Sequence, residues 1–237
     1  GYTLLWGSPS QNIMAQMIAQ VPYDGLKDFT PITLGATGVT VLVAGPSTGI
    51  SSVKDLVDAA RRNPGKISYG SAGIGSIYHL AGESMRLASG IDIVHVPYKG
   101  ALQALNDLYG GRIEVSMLTL GTALPLHQSG KLKLVALLED KRYSGAPEWL
   151  TIGETLKGYE KPPSWYALFG PAGMPQPVVQ RLYREYVASL KNPEVKAWME
   201  KNFHEPGGNT PEEFAAQYRR EFDTFAKSIK AAGLKPE

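Results

Sequence analysis

Between Lys66 and Leu138 the apolar pattern switches repeatedly between period two and the helical period. Lys66-Ile67-Ser68-Tyr69-Gly70 reads as a short strand. Ile77 to Ala88 then places Leu80, Ala81, Ser84, Leu87 and Ala88 on one helical stripe. Asp92 to Val96 is a second strand followed by a helix over Ala101 to Tyr109. Arg112 to Leu118 is a third, with a short helix near Thr122 to Gln128, and Leu132 to Leu138 is a fourth. Strands separated by helices are βαβ units, so the pattern predicts a parallel, doubly wound sheet. Gly90, Gly110-Gly111 and Gly130 stand where helix ends take a left-handed residue.

The flanking material is different. Tyr2 to Gly7 and Thr37 to Ala44 read as buried strands lying before this run. Beyond Ser164 to Phe169 the chain is expected to be wholly helical, over Pro175–Lys191, Pro193–Phe203 and Pro211–Ala232. The last of these opens with Thr210 and, three residues on, Glu213, the capping-box pair. Phe29 to Val53 carries no charge and is long enough to span a bilayer. Pro31, Gly35, Gly38, Gly45, Pro46 and Gly49 interrupt it, however, so it reads as strands and turns and the chain as not membrane-spanning. Two strands, Val39–Val43 and Trp165–Phe169, are expected to join two lobes: 44–164, and 1–43 with 165–237. A hinged two-lobe protein of this kind holds its ligand in the cleft.

Composition removes whole classes of function. Of 237 residues none is Cys, which excludes thiol nucleophiles, iron–sulfur clusters and Cys-zinc sites. A net charge of +2 leaves no electrostatic footprint for nucleic acid. His79, His95, His127 and His204 form no HxH or HExxH pair, so no metal site or cofactor is expected. Ser76 with His79 suggests a nucleophile and base, but no GxSxG elbow surrounds them.

The stretch with most chemical content is Ser71-Ala72-Gly73-Ile74-Gly75-Ser76. It ends a strand and opens a helix, at the carboxyl edge of a parallel sheet where ligands bind. Small residues expose backbone N–H groups, and a helix N-terminus adds partial positive charge suited to a carboxylate or phosphate. The spacing fits neither Walker A nor GxGxxG, and an ordinary tight turn capped by Ser76 is the other reading. Ile67 to Gly82 and Val115 to Gly130 contain no Asp, Glu, Lys or Arg, so an anion there would meet neutral dipoles. Val96-Pro97-Tyr98-Lys99-Gly100 is a second strand-to-helix junction, with Tyr98 able to line a cleft.

These stretches resemble a known family. YGSAGIGS, HLAGE and IDIVHVPYKGALQALNDLYGGRIEV are similar to the substrate-binding receptors of tripartite tricarboxylate transporters, the Bug proteins. The likeness continues through LPLHQSGKLKLVAL, WYALFGPAGMPQPVVQRL and TPEEFAAQYRREF. It implies a two-lobed periplasmic binding protein of type II, with parallel or mixed sheets and helices on both faces. It further implies capture of an organic carboxylate in the periplasm and delivery to integral membrane transporter subunits, without turnover. The alternatives are an enzyme acting on a small acid or ester, and the ligand-binding part of a sensory system. By position, the family's ligand loops fall on Ser8, Pro9 and Ser10, on Ser71 to Ser76, and on Leu118 and Thr119. Ile74 and Leu118-Thr119 stand where the family is more polar, which implies a ligand with an apolar or aromatic body. The family also has an earlier βα unit to which nothing in these 237 residues corresponds. The resemblance therefore implies a preceding segment, or completion of the first lobe of an otherwise monomeric protein by another chain.

Overall fold

The computed structural model describes residues 3–234 and places the alternating run much as its periodicity requires. In chain order the elements begin with β1 (Leu5–Gly7), a π-helical turn (Ser10–Met14), α1 (Ala15–Ile18), β2 (Phe29–Gly38), β3 (Thr40–Ala44) and α2 (Val53–Arg62). The alternating run is β4 (Ile67–Ser71), α3 (Ile77–Ser89), β5 (Ile93–Pro97), α4 (Ala101–Tyr109), β6 (Val115–Thr119), α5 (Leu120–Gln128) and β7 (Lys133–Leu137). There follow α6 (Ile152–Thr155), β8 (Tyr166–Pro171), α7 (Gln176–Ser189), α8 (Pro193–Lys201), β9 (His204–Pro206) and α9 (Pro211–Ala231). The chain divides into two units after Gly38 and again after Pro162.

The second unit holds a five-stranded sheet in the order β5-β4-β6-β3-β7. β4 runs parallel to β5 and β6, but β3 lies antiparallel between β6 and β7, so the sheet is mixed and not uniformly parallel. The cause is legible in β3: every residue from Thr40 to Ala44 is buried. A strand covered on both faces belongs inside a sheet, and β3 separates β7 from the other strands of the run. Leu42, Leu56, Tyr69, Met85 and Val115 are almost wholly buried in its core. α2 adds to the expected helices; Ser52 Oγ accepts from Asp55 N at 3.1 Å, and Leu56 and Ala60 face inward.

The first unit is built on an antiparallel sheet in the order β1-β8-β2-β9. β9 interrupts the helical run expected after Phe169. It covers the edge of β2, and Gly207 and Gly208 extend that edge by donating to Gly35 O and Leu34 O, both at 2.8 Å. An uncovered edge would leave a row of backbone groups unpaired. α9 packs Phe214 and Tyr218 against Phe169 and Trp165. Both arms of its expected capping box form, between Thr210 and Glu213.

The expected joining strands need correction. Thr37 to Ala44 is not one strand: its two halves lie in β2 and β3, with Val39 between them. Residues 159–165 have no regular structure, and β8 stays within one sheet. The units therefore divide at Gly38 and Pro162, not at residues 43 and 164. Phe29 to Val53 is strands and turn, and among the described residues no helix is long and apolar enough to cross a membrane.

Candidate functional site

Because β4, β5 and β6 are mutually parallel, the segments that follow them emerge at one edge of the second unit's sheet. Residues 72–76 follow β4, residues 98–100 follow β5, and α5 begins directly after β6.

The loop is tied from within. Gly73 N donates to Ser71 Oγ at 3.1 Å, and Ser76 N donates to Gly73 O at 3.2 Å. Gly75, at φ +67°, turns its N–H onto Nδ1 of His79 at 3.1 Å. A left-handed backbone is readily available only to glycine, and it sends the chain into α3. Ser76 caps that helix, accepting from His79 N at 3.2 Å and donating to Gly73 O at 2.8 Å. Among the described residues, no acceptor meets the amides of Ala72 and Ile74. The sequence suggested a row of open donors; the structure leaves these two, beside a helix N-terminus. Ile74 is 53% exposed at the tip of the loop.

The neighbouring candidates fall out differently. Tyr98 N donates to Ser71 O at 3.1 Å, so its backbone braces the loop. Its hydroxyl is turned to Asp107 at 2.8 Å, where Arg112 also binds. Burial first, and Asp107 second, push that hydroxyl up to about 12. Leu118 is buried in the sheet opposite Val41, while Thr119 precedes α5 with its hydroxyl 3.0 Å from that of Thr122. In the first unit, Ser8 and Ser10 are half-buried and Pro9 buried, around the start of the π-helical turn. Ser8 N donates to Oδ1 of Asn12 at 3.2 Å. Asn12 is buried with its Nδ2 unpartnered, and nothing in the sequence set it apart from other polar helix residues.

The suggested Ser76–His79 couple does not form. Ser76 Oγ meets the backbone of His79, while the ring serves Gly75. What sequence reading missed is the partnership of His79 with His95, whose ring centroids lie 3.7 Å apart. The parallel register that sets His95 beside Tyr69 creates it, and no single-sequence pattern announces a register between strands. Burial lowers the pKa of both rings, and that of His95, with His79 as second cause, falls to about 4. Among the described residues no group of three His, Asp or Glu could hold a metal.

The profile of the tripartite tricarboxylate transporter family receptor (TctC) matches residues 1–233. The UPF0065 protein in the tcbD-tcbE intergenic region of Pseudomonas sp. strain P51 is 30% identical over 231 residues, which are 97% of this chain and 68% of that protein. R. palustris Rpa4515, solved with adipate, superposes with a TM-score of 0.92 at 30% identity, covering 100% of this chain and 80% of that one. Periplasmic binding protein BugD superposes with a TM-score of 0.87 at 28% identity, again covering 100% of this chain and 80% of the other. The fold is thus that of periplasmic binding proteins of this type, and the family is shared along nearly all of the sequence. The chain belongs to the tripartite tricarboxylate transporter receptor family.

Proposed function

We propose that the protein captures a small organic carboxylate outside the cytoplasm and delivers it to membrane transporter subunits, without chemical turnover. The observation that carries this reading is the pair of open amides, Ala72 and Ile74, beside the N-terminus of α3 in a stretch free of Asp, Glu, Lys and Arg. Two N–H groups without an acceptor in the chain, beside a helix N-terminus, suit the two oxygens of a carboxylate. Adipate with Rpa4515 is support from a relative of the same fold.

The ligand's body is apolar or aromatic. Exposed Ile74 offers it apolar surface at the loop, and no ionic side chain in the loop could pair with an ammonium group. Ser71, Gly73, Gly75 and Ser76 shape the loop, Tyr98 braces it, and Thr119 supplies a hydroxyl at the same sheet edge. Ser8, Pro9 and Ser10 are the corresponding candidates in the first unit.

Titration calorimetry against adipate, aliphatic and aromatic monocarboxylates, and aspartate tests the reading. Binding of at least one apolar carboxylate, more tightly than aspartate, is expected. Tighter binding of aspartate than of every apolar carboxylate would overturn the choice of ligand body, and no carboxylate binding would overturn the function.

A further inference from the structure

His79 stands in the first turn of α3 and His95 in the middle of β5. Their rings are parallel to within 11°, and Tyr69 stacks on His95 at 4.9 Å. Each imidazole holds one end of the 71–76 loop, and the hydrogen bonds fix where each ring carries its proton. His79 Nδ1 accepts from Gly75 N, so the N–H of this ring is on Nε2. Ser71 Oγ accepts from Gly73 N and lies 3.0 Å from Gly73 O, a contact satisfied only if the hydroxyl donates there. With that proton committed, the 2.7 Å contact between Ser71 Oγ and His95 Nε2 is filled by the ring's N–H. In their neutral forms both rings are thereby assigned as Nε2–H tautomers.

We propose that the stacked, neutral His79–His95 pair is a positioning device: it fixes the loop with the Ala72 and Ile74 amides open, and a proton on His79 releases it. A proton at Nδ1 would set one N–H against another and take away the acceptor of Gly75. The loop carbonyl of Gly73 cannot easily replace it, since it already accepts from Ser71 Oγ, Ser76 N and Ser76 Oγ. The charge would also press on a ring 3.7 Å away. The ionisable groups facing the pair are Tyr69 from β4 and Glu83 from α3. Glu83 accepts from the Tyr69 hydroxyl at 2.7 Å and from Arg86 at 2.8 Å. Burial outweighs the pull of Glu83 and keeps both rings below the ordinary histidine range.

The binding half of the test rests on the carboxylate reading; the spectroscopic half does not. In the full chain without ligand, nitrogen NMR should show both rings as Nε2–H tautomers at pH 7. The pair should titrate below pH 6.5, with the Gly75 amide resonance following it. Calorimetry with adipate at pH 7 and pH 5 should show the parent losing more affinity in acid than His79→Asn, by up to about tenfold where the ring is fully protonated, the cost of one lost hydrogen bond with its donor unmet. His79→Asn, whose Oδ1 can accept from Gly75 without titrating, should keep the parent's affinity at pH 7 and show in acid only the loss that protonation of adipate itself causes. His79→Leu should be about tenfold weaker at both. An Nδ1–H tautomer on His79, a Gly75 amide indifferent to the titration, or an unchanged acid response in His79→Asn would overturn the proposal. If adipate fails to bind the parent chain, the carboxylate reading is in question and the ring and amide titrations alone decide the device.

Discussion

Gly82 lies on the buried face of α3, an unfavourable residue in the middle of a thirteen-residue helix. Replacing an interior helical Gly by Ala ordinarily gains about 1 kcal/mol. Here a Cβ would fall closer than 3.0 Å to three atoms of the Tyr69 ring, and Tyr69 is fully buried. Overpacking of a closed core costs about 1–3 kcal/mol. Displacing the ring also endangers its hydroxyl bond to Glu83, worth about 1.5–3 kcal/mol for a bond to a charged group. The clash outweighs the propensity gain, so Gly82→Ala should destabilise by about 2–4 kcal/mol. Urea unfolding followed by far-UV circular dichroism reads this directly, and the melting temperature should fall by about 5–15 °C. Adding Tyr69→Leu should recover part of the loss, because the two changes share one space. A Gly82→Ala variant as stable as the parent, or about 1 kcal/mol more stable, would refute the packing of Tyr69 between α3 and β5.

Further expectations concern other parts of the chain. Lys161 is the ion-pair partner of Glu139, whose carboxylate is buried, raised in pKa chiefly by desolvation, and bonded to Thr40 N at 2.8 Å. Lys161→Met should therefore cost about 3–5 kcal/mol in urea unfolding, the penalty of stranding a buried charge. Thr210→Ala removes one arm of the α9 capping box and should cost about 1 kcal/mol by the same assay. His79 and His95 are both lowered in the folded chain, so the unfolded chain binds more protons in acid; the resulting stability is complete above pH 6.5 and should decline as the pH falls toward 4. Ser71→Ala removes the contacts of Ser71 Oγ with Gly73 and His95 and should weaken carboxylate binding about tenfold by calorimetry, as His79→Leu does, without abolishing it.

Local chemistry was legible in the sequence wherever it was local. Period and capping placed α3, α4 and α9, and the glycines after α3 and α5, Gly90 and Gly130, do sit at positive φ. Gly110 does not; the left-handed residue is Gly111. Strand neighbours are decided by long-range pairing, so the wedge of β3 between β6 and β7 was invisible, although its apolar run from Val41 to Ala44 asked for an interior place. β9, three residues long, carries too short a pattern to be read. The loop at residues 71–76 announced itself through small residues at a strand–helix junction. Its two supports did not: a histidine on a helix and one on a strand meet only through the register of β4 with β5.

The most direct measurement is thermal unfolding of the full chain and of Gly75→Asp with and without adipate. Gly75→Asp puts a carboxylate at the mouth of α3, on a backbone at φ +67° that a side chain strains, so binding should be abolished. At ligand near one hundred times the dissociation constant, native-state binding adds about 2.7 kcal/mol, a rise of about 5–10 °C for a chain of this size. The parent is expected to show that rise and Gly75→Asp none. An equal rise in both would remove the 71–76 loop from the site, and no rise in the parent with adipate or any other carboxylate would contradict a carboxylate receptor.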